Sequence, residues 1–238
     1  MKTTYHGPDA KKIQSMFGSI AMKYDQANSV LSAGIHHLWR KKLVRLSQAK
    51  QGQTVLDCAT GTGDLAIEFA KNVGPKGLVI GTDFCKEMLD LAPQKAQKHN
   101  VDVGFKTADV MALPFADNQF DISSIAFGIR NVADPIKGLS ELARVVKPGG
   151  RVMILEFGQP SLIGFRELYN FYSRKILPTI GGWVTGQKEA YSYLQNSSAN
   201  FPCAQEFCTM MLSTQVFSSV NYEPLTGGIA YIYTAVKI

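Results

Sequence analysis

The chain has 238 residues, of which 45% are hydrophobic and 18% are charged, and its 25 Lys and Arg against 19 Asp and Glu give a formal net charge of +6. This composition excludes a disordered or collagen-like chain, because too much apolar material is present and glycine does not recur at every third position. The length suits one large domain, and the pI near 9.1 is compatible with an anionic membrane or with nucleic acid but identifies neither.

The cysteines predict a reducing compartment and no metal site. Cys58, Cys85, Cys203 and Cys208 form no C-x-x-C pair, and no cluster of Cys and His has the spacing of a zinc site. The first residues lack the apolar core of a secretory signal, and the longest uncharged run near the C-terminus, residues 207–222, is too short and too polar to span a membrane. We therefore expect a cytoplasmic protein that is soluble or peripheral.

Two helices are predicted before the first strand. Apolar residues recur at helical spacing over residues 11–25, and residues 36–50 form a second helical pattern that is basic on one side. We expect residues 1–50 to form a helical cover over the rest of the domain.

From residue 54 onward, short apolar runs alternate with helical patterns. The predicted strands are residues 54–59, 78–83, 101–108, 120–127 and 151–157. The predicted helices are residues 64–72, 86–99 and 135–146, and the predicted turns are residues 74–77 and 147–150. This alternation is typical of βαβ units and predicts a parallel, cofactor-binding sheet over residues 51–157.

The alternation stops after residue 157. Residues 158–200 are rich in aromatic residues and too long for a simple connection, so we expect a helical insertion that contributes to the substrate site. Residues 201–238 are expected to form a helix and a hairpin, with strands over 220–225 and 229–236. The hairpin places an antiparallel strand at the end of the sheet, and the whole chain then forms a single domain.

A glycine-rich turn after the first strand is the most informative segment. Residues 55–64 are VLDCATGTGD, and they put glycines where ligands bind in open α/β sheets, outside the carboxyl ends of the strands. Asp83 ends the second strand, 20 residues after Gly63. A carboxylate at that position can accept hydrogen bonds from both ribose hydroxyls of a nucleoside.

Two nucleotide cofactors are compatible with this turn. Residues 61–66 satisfy the G-x-G-x-x-A pattern of dinucleotide sites, so a nicotinamide cofactor is one alternative. S-Adenosylmethionine is favoured because Asp57 can organise the loop near a cationic amino group, and because Asp109 and Val110 follow the third strand, where a polar residue can read the adenine edge. No second half-site for a nicotinamide is evident in the sequence.

Several motifs resemble those of one methyltransferase family. The glycine-rich turn, Asp83 and residues 145–150 (VVKPGG) resemble the class I methyltransferases. Residues 24–40, which include Tyr24-Asp25, Asn28, Leu31-Ser32, His36 and Trp39-Arg40, resemble the opening signature of the UbiE/MenG quinone C-methyltransferases. Further signatures of that family lie at residues 127–134, 155–157, 176–181, 191–194 and 226–228.

The resemblance implies a fold, a cofactor and a reaction. The implied fold is that of a class I S-adenosylmethionine-dependent methyltransferase, an α/β, Rossmann-like, seven-stranded sheet whose last strand is antiparallel. The implied reaction is methylation of a ring carbon of a polyprenyl hydroquinone. Conversion of demethylmenaquinol to menaquinol is favoured, with the 2-methoxy-6-polyprenyl-1,4-benzoquinol of ubiquinone biosynthesis as the alternative. A methyltransferase for RNA or another small molecule is a further alternative, although no Asn/Asp-Pro-Pro-aromatic motif follows the fourth strand.

The family's cofactor contacts carry over to matching positions here. These positions are Thr62, Asp83, Asp109 and Val110. With Asp57, Gly61 and Gly63 of the glycine-rich segment, they are the candidate cofactor-binding residues. Two positions depart from the family pattern. Ala126 stands where the family has a Ser before its Phe-Gly pair, and Thr60 replaces the first Gly of the loop.

Methylation of a carbon next to a ring hydroxyl needs a base, or a cation that stabilises the phenolate as it forms. Arg130 is the candidate for holding that oxygen, since a guanidinium with a pKa above about 12 does not readily act as a free base. Asn131 is expected to orient the oxygen, and Tyr24 and Asp25 belong to the helix expected to close over the site.

His36 and His37 have the ordinary pKa of a general base, but the polar face of a basic helix explains both residues as well. On the same helix, Arg40, Lys41, Lys42 and Arg45 could draw the protein to anionic lipid, although such a charge run also fits a solvated face. The insertion supplies apolar surface for a lipid tail through Phe165, Tyr169, Phe171, Tyr172, Ile176, Leu177, Trp183, Tyr191 and Tyr193. We therefore expect peripheral contact with the inner face of a membrane and no nucleic-acid partner. The sequence is compatible with a homodimer but does not determine the oligomeric state.

Overall fold

The computed structural model describes residues 5, 7–160, 163–173, 179, 181–182 and 186–238. Within them, one seven-stranded sheet has the order β3-β2-β1-β4-β5-β7-β6. Its strands are β1 (Thr54–Cys58), β2 (Leu78–Asp83), β3 (Gly104–Thr107), β4 (Phe120–Ala126), β5 (Val146–Phe157), β6 (Phe217–Leu225) and β7 (Ala230–Lys237).

The first five strands are parallel to one another, and β7 is antiparallel to both of its neighbours. This arrangement confirms the predicted sheet with an antiparallel last strand. The last strand in the chain is not at the edge, however, because β7 lies between β5 and β6. The strand order reverses between β1 and β4, so ligands are expected in the crevice outside the carboxyl ends of these two strands.

The structure gives the bounds of nine α-helices, in addition to short 3₁₀ turns. They are α1 (Ala10–Leu31), α2 (Ile35–Ser47), α3 (Asp64–Val73), α4 (Lys86–Leu89), α5 (Ala92–Lys98), α6 (Pro135–Arg144), α7 (Ile163–Phe171), α8 (Lys188–Asn200) and α9 (Gln205–Ser213). The start of α6 shows how local sequence sets a boundary, since the Asp134 side chain accepts a hydrogen bond from Lys137 N at 3.0 Å and Pro135 opens the helix. Among the described helices, none combines the length and apolar content needed to cross a bilayer.

Several predicted boundaries differ from the structure. Strand β3 begins three residues after the start of the predicted run 101–108, and β6 begins three residues before the predicted run 220–225. The first helix continues beyond residue 25 to Leu31. The predicted helix over residues 86–99 is two helices, α4 and α5, because Pro93 in the first turn of α5 has no N–H to donate to the preceding turn. The predicted turn over residues 147–150 lies inside β5, where the pairing with β4 shifts register as in a β-bulge.

Two apolar layers cover the faces of the sheet. One cluster contains Leu56, Ile125, Leu139, Leu142, Phe207 and Met211, which join the strands to α6 and α9. The other contains Leu43, Val44, Phe69, Ile122 and Met153, which join the strands to α2 and α3. A smaller cluster that includes Ile20, Ala27 and Tyr191 packs α1 against α8. The sheet is therefore held rigidly between helices, and its carboxyl edge faces α1 and α8.

Candidate active site

Two cavities adjoin one another at the carboxyl edge of the sheet. The larger has a volume of about 600 Å³ and the smaller a volume of about 90 Å³. Phe17, Tyr24 and Phe127 line both of them. The two cavities therefore meet between α1 and the residue that follows β4, which is the position that the strand order predicts for a ligand.

Residues at the ends of three strands, or just after them, line the smaller cavity. Gly61 follows β1, Asp83 ends β2, and Asp109 and Val110 follow β3. All four are predicted cofactor-binding residues, and the structure brings them together. Met111 also lines this cavity, and its backbone N–H donates to Asp109 Oδ1 at 2.8 Å.

The Asp83 carboxylate fixes the glycine-rich turn relative to the second strand. Asp83 Oδ2 accepts a hydrogen bond from Gly61 N, and Oδ1 accepts one from Cys85 N, each at 2.8 Å. Asp83 is buried, and burial raises the pKa of its carboxyl despite these backbone N–H groups. Each oxygen keeps a further lone pair, so the carboxylate can still accept hydrogen bonds from a ligand.

Asp57 does not line either cavity, but its carboxylate is hydrogen-bonded to the glycine-rich turn. Its two oxygens accept hydrogen bonds from Thr60 Oγ1 at 2.6 Å and from Ser124 Oγ at 2.7 Å. Burial raises the pKa of the Asp57 carboxyl to about 6, although these two hydroxyls oppose the shift. The departure at Thr60 from the family pattern thus supplies a hydrogen-bond donor to a buried carboxylate. Gly63, the last residue before α3, has φ 88°, a conformation that favours glycine.

Asp25 and Thr62 belong to a polar cluster outside the two cavities. Thr62 Oγ1 donates to Asp25 Oδ1 at 2.7 Å, and Lys95 Nζ donates to Asp25 Oδ2 at 2.5 Å and to Thr62 Oγ1 at 3.0 Å. Lys95 also forms an ion pair with Asp64. Neither Asp25 nor Thr62 lines either cavity. Asp25 thus ties α1 to the glycine-rich turn, and its predicted catalytic role stays a prediction.

Most residues that line the larger cavity are apolar or aromatic. Helices α1, α2, α7 and α8, the residues after β4, the end of β5 and the turn between β6 and β7 enclose it. Its wall includes Met16, Phe17, Ile20, Leu31, Ile35, Trp39, Phe127, Phe157, Tyr169, Phe171, Tyr172, Ala190, Tyr191, Tyr193, Leu194 and Ile229. Tyr169, Phe171, Tyr172, Tyr191 and Tyr193 thus lie where the sequence places the tail wall. Ile176, Leu177, Trp183 and the Phe165 side chain lie outside the described part of the structure, as does most of the signature over residues 176–181.

Arg130 reaches the larger cavity as half of a buried ion pair. Its Nη1 lies 2.6 Å from Glu156 Oε1, and the side chains are only 2% and 1% exposed. Nη1 also donates to Phe127 O at 2.6 Å, and Nε donates to Ser197 Oγ at 3.3 Å. Nη2 has no hydrogen bond to a residue that the structure describes. The sequence analysis assigned no role to Glu156, although an acidic residue directly after the apolar run 152–155 signals a buried partner.

Asn131 and Tyr24 both lie in the wall of the smaller cavity. Asn131 Oδ1 accepts a hydrogen bond from Tyr193 OH at 2.8 Å. Tyr24 lies at the junction of the cavities, and burial raises the pKa of its hydroxyl, so the group stays protonated at neutral pH. Tyr24 is therefore shared by the two cavities and Asn131 belongs to the smaller one, while the catalytic roles of both residues stay predictions.

His36 and Arg40 lie in the wall of the larger cavity and not on the surface. They are 5% and 7% exposed. Arg40 Nη2 lies 3.3 Å from Asp64 Oδ2. The sequence analysis places Arg40 in a surface basic run and His36 on a polar helix face, and the structure corrects both placements.

Comparison with known proteins shows what this chain is similar to. Residues 6–237 match the model of the ubiE/COQ5 methyltransferase family. The chain is 61% identical over 228 residues to the ubiquinone/menaquinone biosynthesis C-methyltransferase UbiE of Bdellovibrio bacteriovorus, covering 96% of this chain and 97% of that one. It is 44% identical over 230 residues to the protein of that name from Geobacter sp. (strain M21), covering 95% and 97%. A crystal structure of a SAM-dependent methyltransferase from Aquifex aeolicus superposes with a TM-score of 0.61 at 20% identity, covering 90% and 98%.

Proposed function

Because the chain belongs to the ubiE/COQ5 methyltransferase family, we propose that it methylates a ring carbon of a polyprenyl hydroquinone in its larger cavity. It is an S-adenosylmethionine-dependent methyltransferase, which confirms the predicted enzyme class and cofactor. One observation carries the substrate proposal: a cavity edged by Asp83 and Asp109 shares wall residues with an aromatic cavity of about 600 Å³. Methyl transfer needs this adjacency, because the nucleophile must approach the methyl group in line at about 3–3.5 Å.

The residues of the smaller cavity fit the cofactor. The Asp83 carboxylate can accept hydrogen bonds from the ribose hydroxyls, and Asp109 and Val110 would flank the adenine. Behind the wall, Asp57 provides negative charge near the glycine-rich turn, where it would favour a cationic amino group. The bound cofactor supplies an electrophilic methyl group on a sulfonium.

The larger cavity fits the head group of a quinol. Its wall is aromatic, and the rings of Phe127 and Phe157 stack with centroids 4.4 Å apart. We propose demethylmenaquinol as the substrate, as favoured by the sequence resemblance, with the benzoquinol of ubiquinone biosynthesis as the alternative.

Arg130 is proposed to hold a ring oxygen through Nη2. Because Glu156 balances its charge, Arg130 would act by donating a hydrogen bond and not by presenting a free positive charge. Tyr24 and Asn131 are proposed to position the reacting ring at the junction of the cavities.

Incubation of the protein with a short-chain demethylmenaquinol, a short-chain benzoquinol and labelled cofactor tests the proposal. We expect label in the naphthoquinol ring under reducing conditions. Calorimetry with S-adenosylhomocysteine and NADH controls for an active preparation, and only the first should bind. No label in either quinol, with cofactor binding intact, would refute quinol methylation, whereas label in the benzoquinol alone would select the alternative.

Cofactor affinity is expected to fall about tenfold between pH 7 and pH 5. A cationic amino group favours the ionised form of Asp57, whose carboxyl has a pKa that burial raises to about 6. Below that pH, cofactor binding must displace a proton from the Asp57 carboxyl. Each further unit of pH decrease therefore lowers the cofactor affinity about tenfold. Calorimetry with S-adenosylmethionine at several pH values measures this. Asp57→Asn should bind more weakly at pH 7 and lose the pH dependence, and an equal slope in the variant would contradict the assignment.

Peripheral membrane contact is proposed for the outer face of α2 and α7, at the mouth of the larger cavity. Phe171 lines that cavity and is nevertheless 60% exposed. Leu38 is 63% exposed, and Lys41 and Arg45 follow it at spacings of three and seven residues, so the three side chains share one helix face. A lipid substrate could enter from a bilayer here, with basic residues at the anionic head groups. In this proposal α1, α2 and residues 158–200 form the cover of the site.

Removing the two cations Lys41 and Arg45 is expected to weaken binding to anionic vesicles about 30-fold, since each basic residue near the surface contributes about 1 kcal/mol. Co-sedimentation of the Lys41→Gln/Arg45→Gln variant with phosphatidylglycerol-containing vesicles measures the change. Lys76→Gln/Lys98→Gln removes equal charge from other exposed positions and serves as the matched control. Equal loss in both variants would mean that net charge, and not this face, determines binding.

A further inference from the structure

Two buried polar atoms on α2 have no hydrogen-bond partner within the described structure. They are His36 Nε2 and Arg40 Nη1. A buried polar atom without a hydrogen-bond partner destabilises the folded protein, so two of them on one helix point to a ligand that completes them. The two residues are separated by one helical turn, and both line the larger cavity.

The pair lies close to the junction with the smaller cavity. The Arg40 guanidinium carbon is 5.9 Å from the centroid of the Phe127 ring, and Phe127 lines both cavities. The ion pair with Asp64 anchors Arg40 through Nη2 and leaves Nη1 as the unused donor. A ligand at this point is therefore within the region where methyl transfer must occur.

One chemical group satisfies both atoms at once. A ring hydroxyl donates its proton to a neutral imidazole nitrogen and accepts a hydrogen bond from a guanidinium N–H. Carboxylates and phosphates cannot donate in this way when ionised, and an aliphatic tail offers neither group. A phenolic hydroxyl, which has both functions, therefore suits the pair.

We propose that His36 Nε2 accepts the proton of a ring hydroxyl during methyl transfer, while Arg40 Nη1 holds the oxygen. This inference rests on the proposed quinol methylation and supplies its proton acceptor. Arg130 lies over a different ring of the aromatic stack, with its guanidinium carbon 5.3 Å from the Phe157 centroid. The two arginines are therefore suited to the two oxygens of a 1,4-hydroquinol.

The proton and electron balance is complete with these groups. The ring carbon forms a bond to the methyl carbon while the carbon–sulfur bond breaks and its electron pair stays on sulfur. The hydroxyl proton moves to His36 Nε2, and the oxygen becomes a ketone that Arg40 stabilises. The methylated carbon then loses its hydrogen to solvent as a proton, and His36 returns its proton to the oxygen, which restores the hydroquinol. One proton is released overall.

His36 is neutral at physiological pH and therefore able to accept a proton. Burial is the main cause that lowers its pKa to about 4, and Arg40, His37 and Lys95 lower it further while Asp64 opposes them. Such a weak base is sufficient here, because the hydroxyl becomes strongly acidic as the ring gains positive charge from the methyl group. Early removal of the proton is not required.

The test compares His36→Gln with His37→Gln, since His37 is the exposed neighbour on the same helix. We expect His36→Gln to lower kcat about 100-fold, the usual contribution of a positioned base, with KM changed only a few-fold. The solvent isotope effect on kcat should disappear, and imidazole should partly restore His36→Ala. His37→Gln should match the parent. Undiminished kcat in His36→Gln, with active parent protein, would overturn the inference, while an inactive parent would instead reject the proposed function.

A binding measurement keeps the inference testable if the variants fold poorly. The probe is 2,3-dimethyl-1,4-dihydroxynaphthalene under anaerobic conditions, which has no free carbon next to a hydroxyl and cannot be methylated there. In the parent protein, the ¹⁵N resonance of His36 Nε2 should shift on binding by much more than those of His37, whose ring centroid lies 3.9 Å from that of His36. Binding of the probe with no shift at His36 would place the hydroxyls elsewhere.

Discussion

Replacing Arg130 with Ala is expected to lower the free energy of unfolding by about 3–5 kcal/mol, the usual cost of leaving one member of a buried ion pair alone. Arg130 and Glu156 are 2% and 1% exposed, and Nη1 lies 2.6 Å from Oε1. The variant would leave the Glu156 carboxylate in an apolar wall with no counter-ion. Denaturant unfolding of the parent and the variant measures the difference.

The carboxylate of Glu156 also organises the turn after β4. Its Oε2 accepts a hydrogen bond from Arg130 N at 3.3 Å. Arg130 Nη1, its ion-pair partner, donates a hydrogen bond to Phe127 O at 2.6 Å. Glu156→Gln should therefore cost less than Arg130→Ala, because the amide keeps an acceptor for the backbone N–H. Equal stability of the parent and Arg130→Ala would mean that the pair is not closed in solution.

The double variant Arg130→Met/Glu156→Leu separates stability from catalysis. Well-packed apolar residues often replace a buried ion pair without loss of stability, so unfolding should return close to the parent value. Turnover should remain at least 100-fold below the parent, because the donor to the ring oxygen is absent. The dissociation constant for S-adenosylhomocysteine should not change. Parental turnover in this variant would remove Arg130 from the proposed mechanism.

Periodicity predicted the sheet well, since strand patterns and glycine turns are local in sequence. β1 and β2 match the predicted runs within one residue. The errors occur where one residue overrides a longer pattern, as Pro93 does between α4 and α5. The position of β7 between β5 and β6 depends on pairing between distant segments, which a hairpin pattern does not specify.

The same distinction applies to the site. Gly61, Asp83, Asp109 and Val110 were predictable because ligands meet parallel strands at their carboxyl ends. The partners of charged side chains were not, because they come from distant parts of the chain. Asp25 pairs with Lys95, 70 residues away. His36 illustrates the limit most clearly, since only the packing of α2 shows that a histidine in a basic helix is buried beside a cavity.

Asp83→Ala is expected to weaken cofactor binding by about 1–3 kcal/mol, or roughly 5- to 150-fold. Besides the proposed contact with the ribose, the Asp83 carboxylate accepts hydrogen bonds from the backbone N–H groups of Gly61 and Cys85, each at 2.8 Å. The variant would remove the ribose contacts and also release the turn that forms one edge of the cavity.

Asp83→Asn should restore little of this affinity. A carboxylate accepts at both oxygens, whereas the Asn amide would direct its NH₂ group at one of the two backbone donors. Calorimetry with S-adenosylhomocysteine measures each variant, and Asp102→Asn, which removes an exposed carboxylate before β3, is the charge control. If Asp83→Asn binds as tightly as the parent, one oxygen is sufficient and the two-sided anchoring of the turn is wrong. If Asp83→Ala also binds like the parent, Asp83 does not contact the ribose, and the cofactor must be held chiefly by Asp109 and the turn itself.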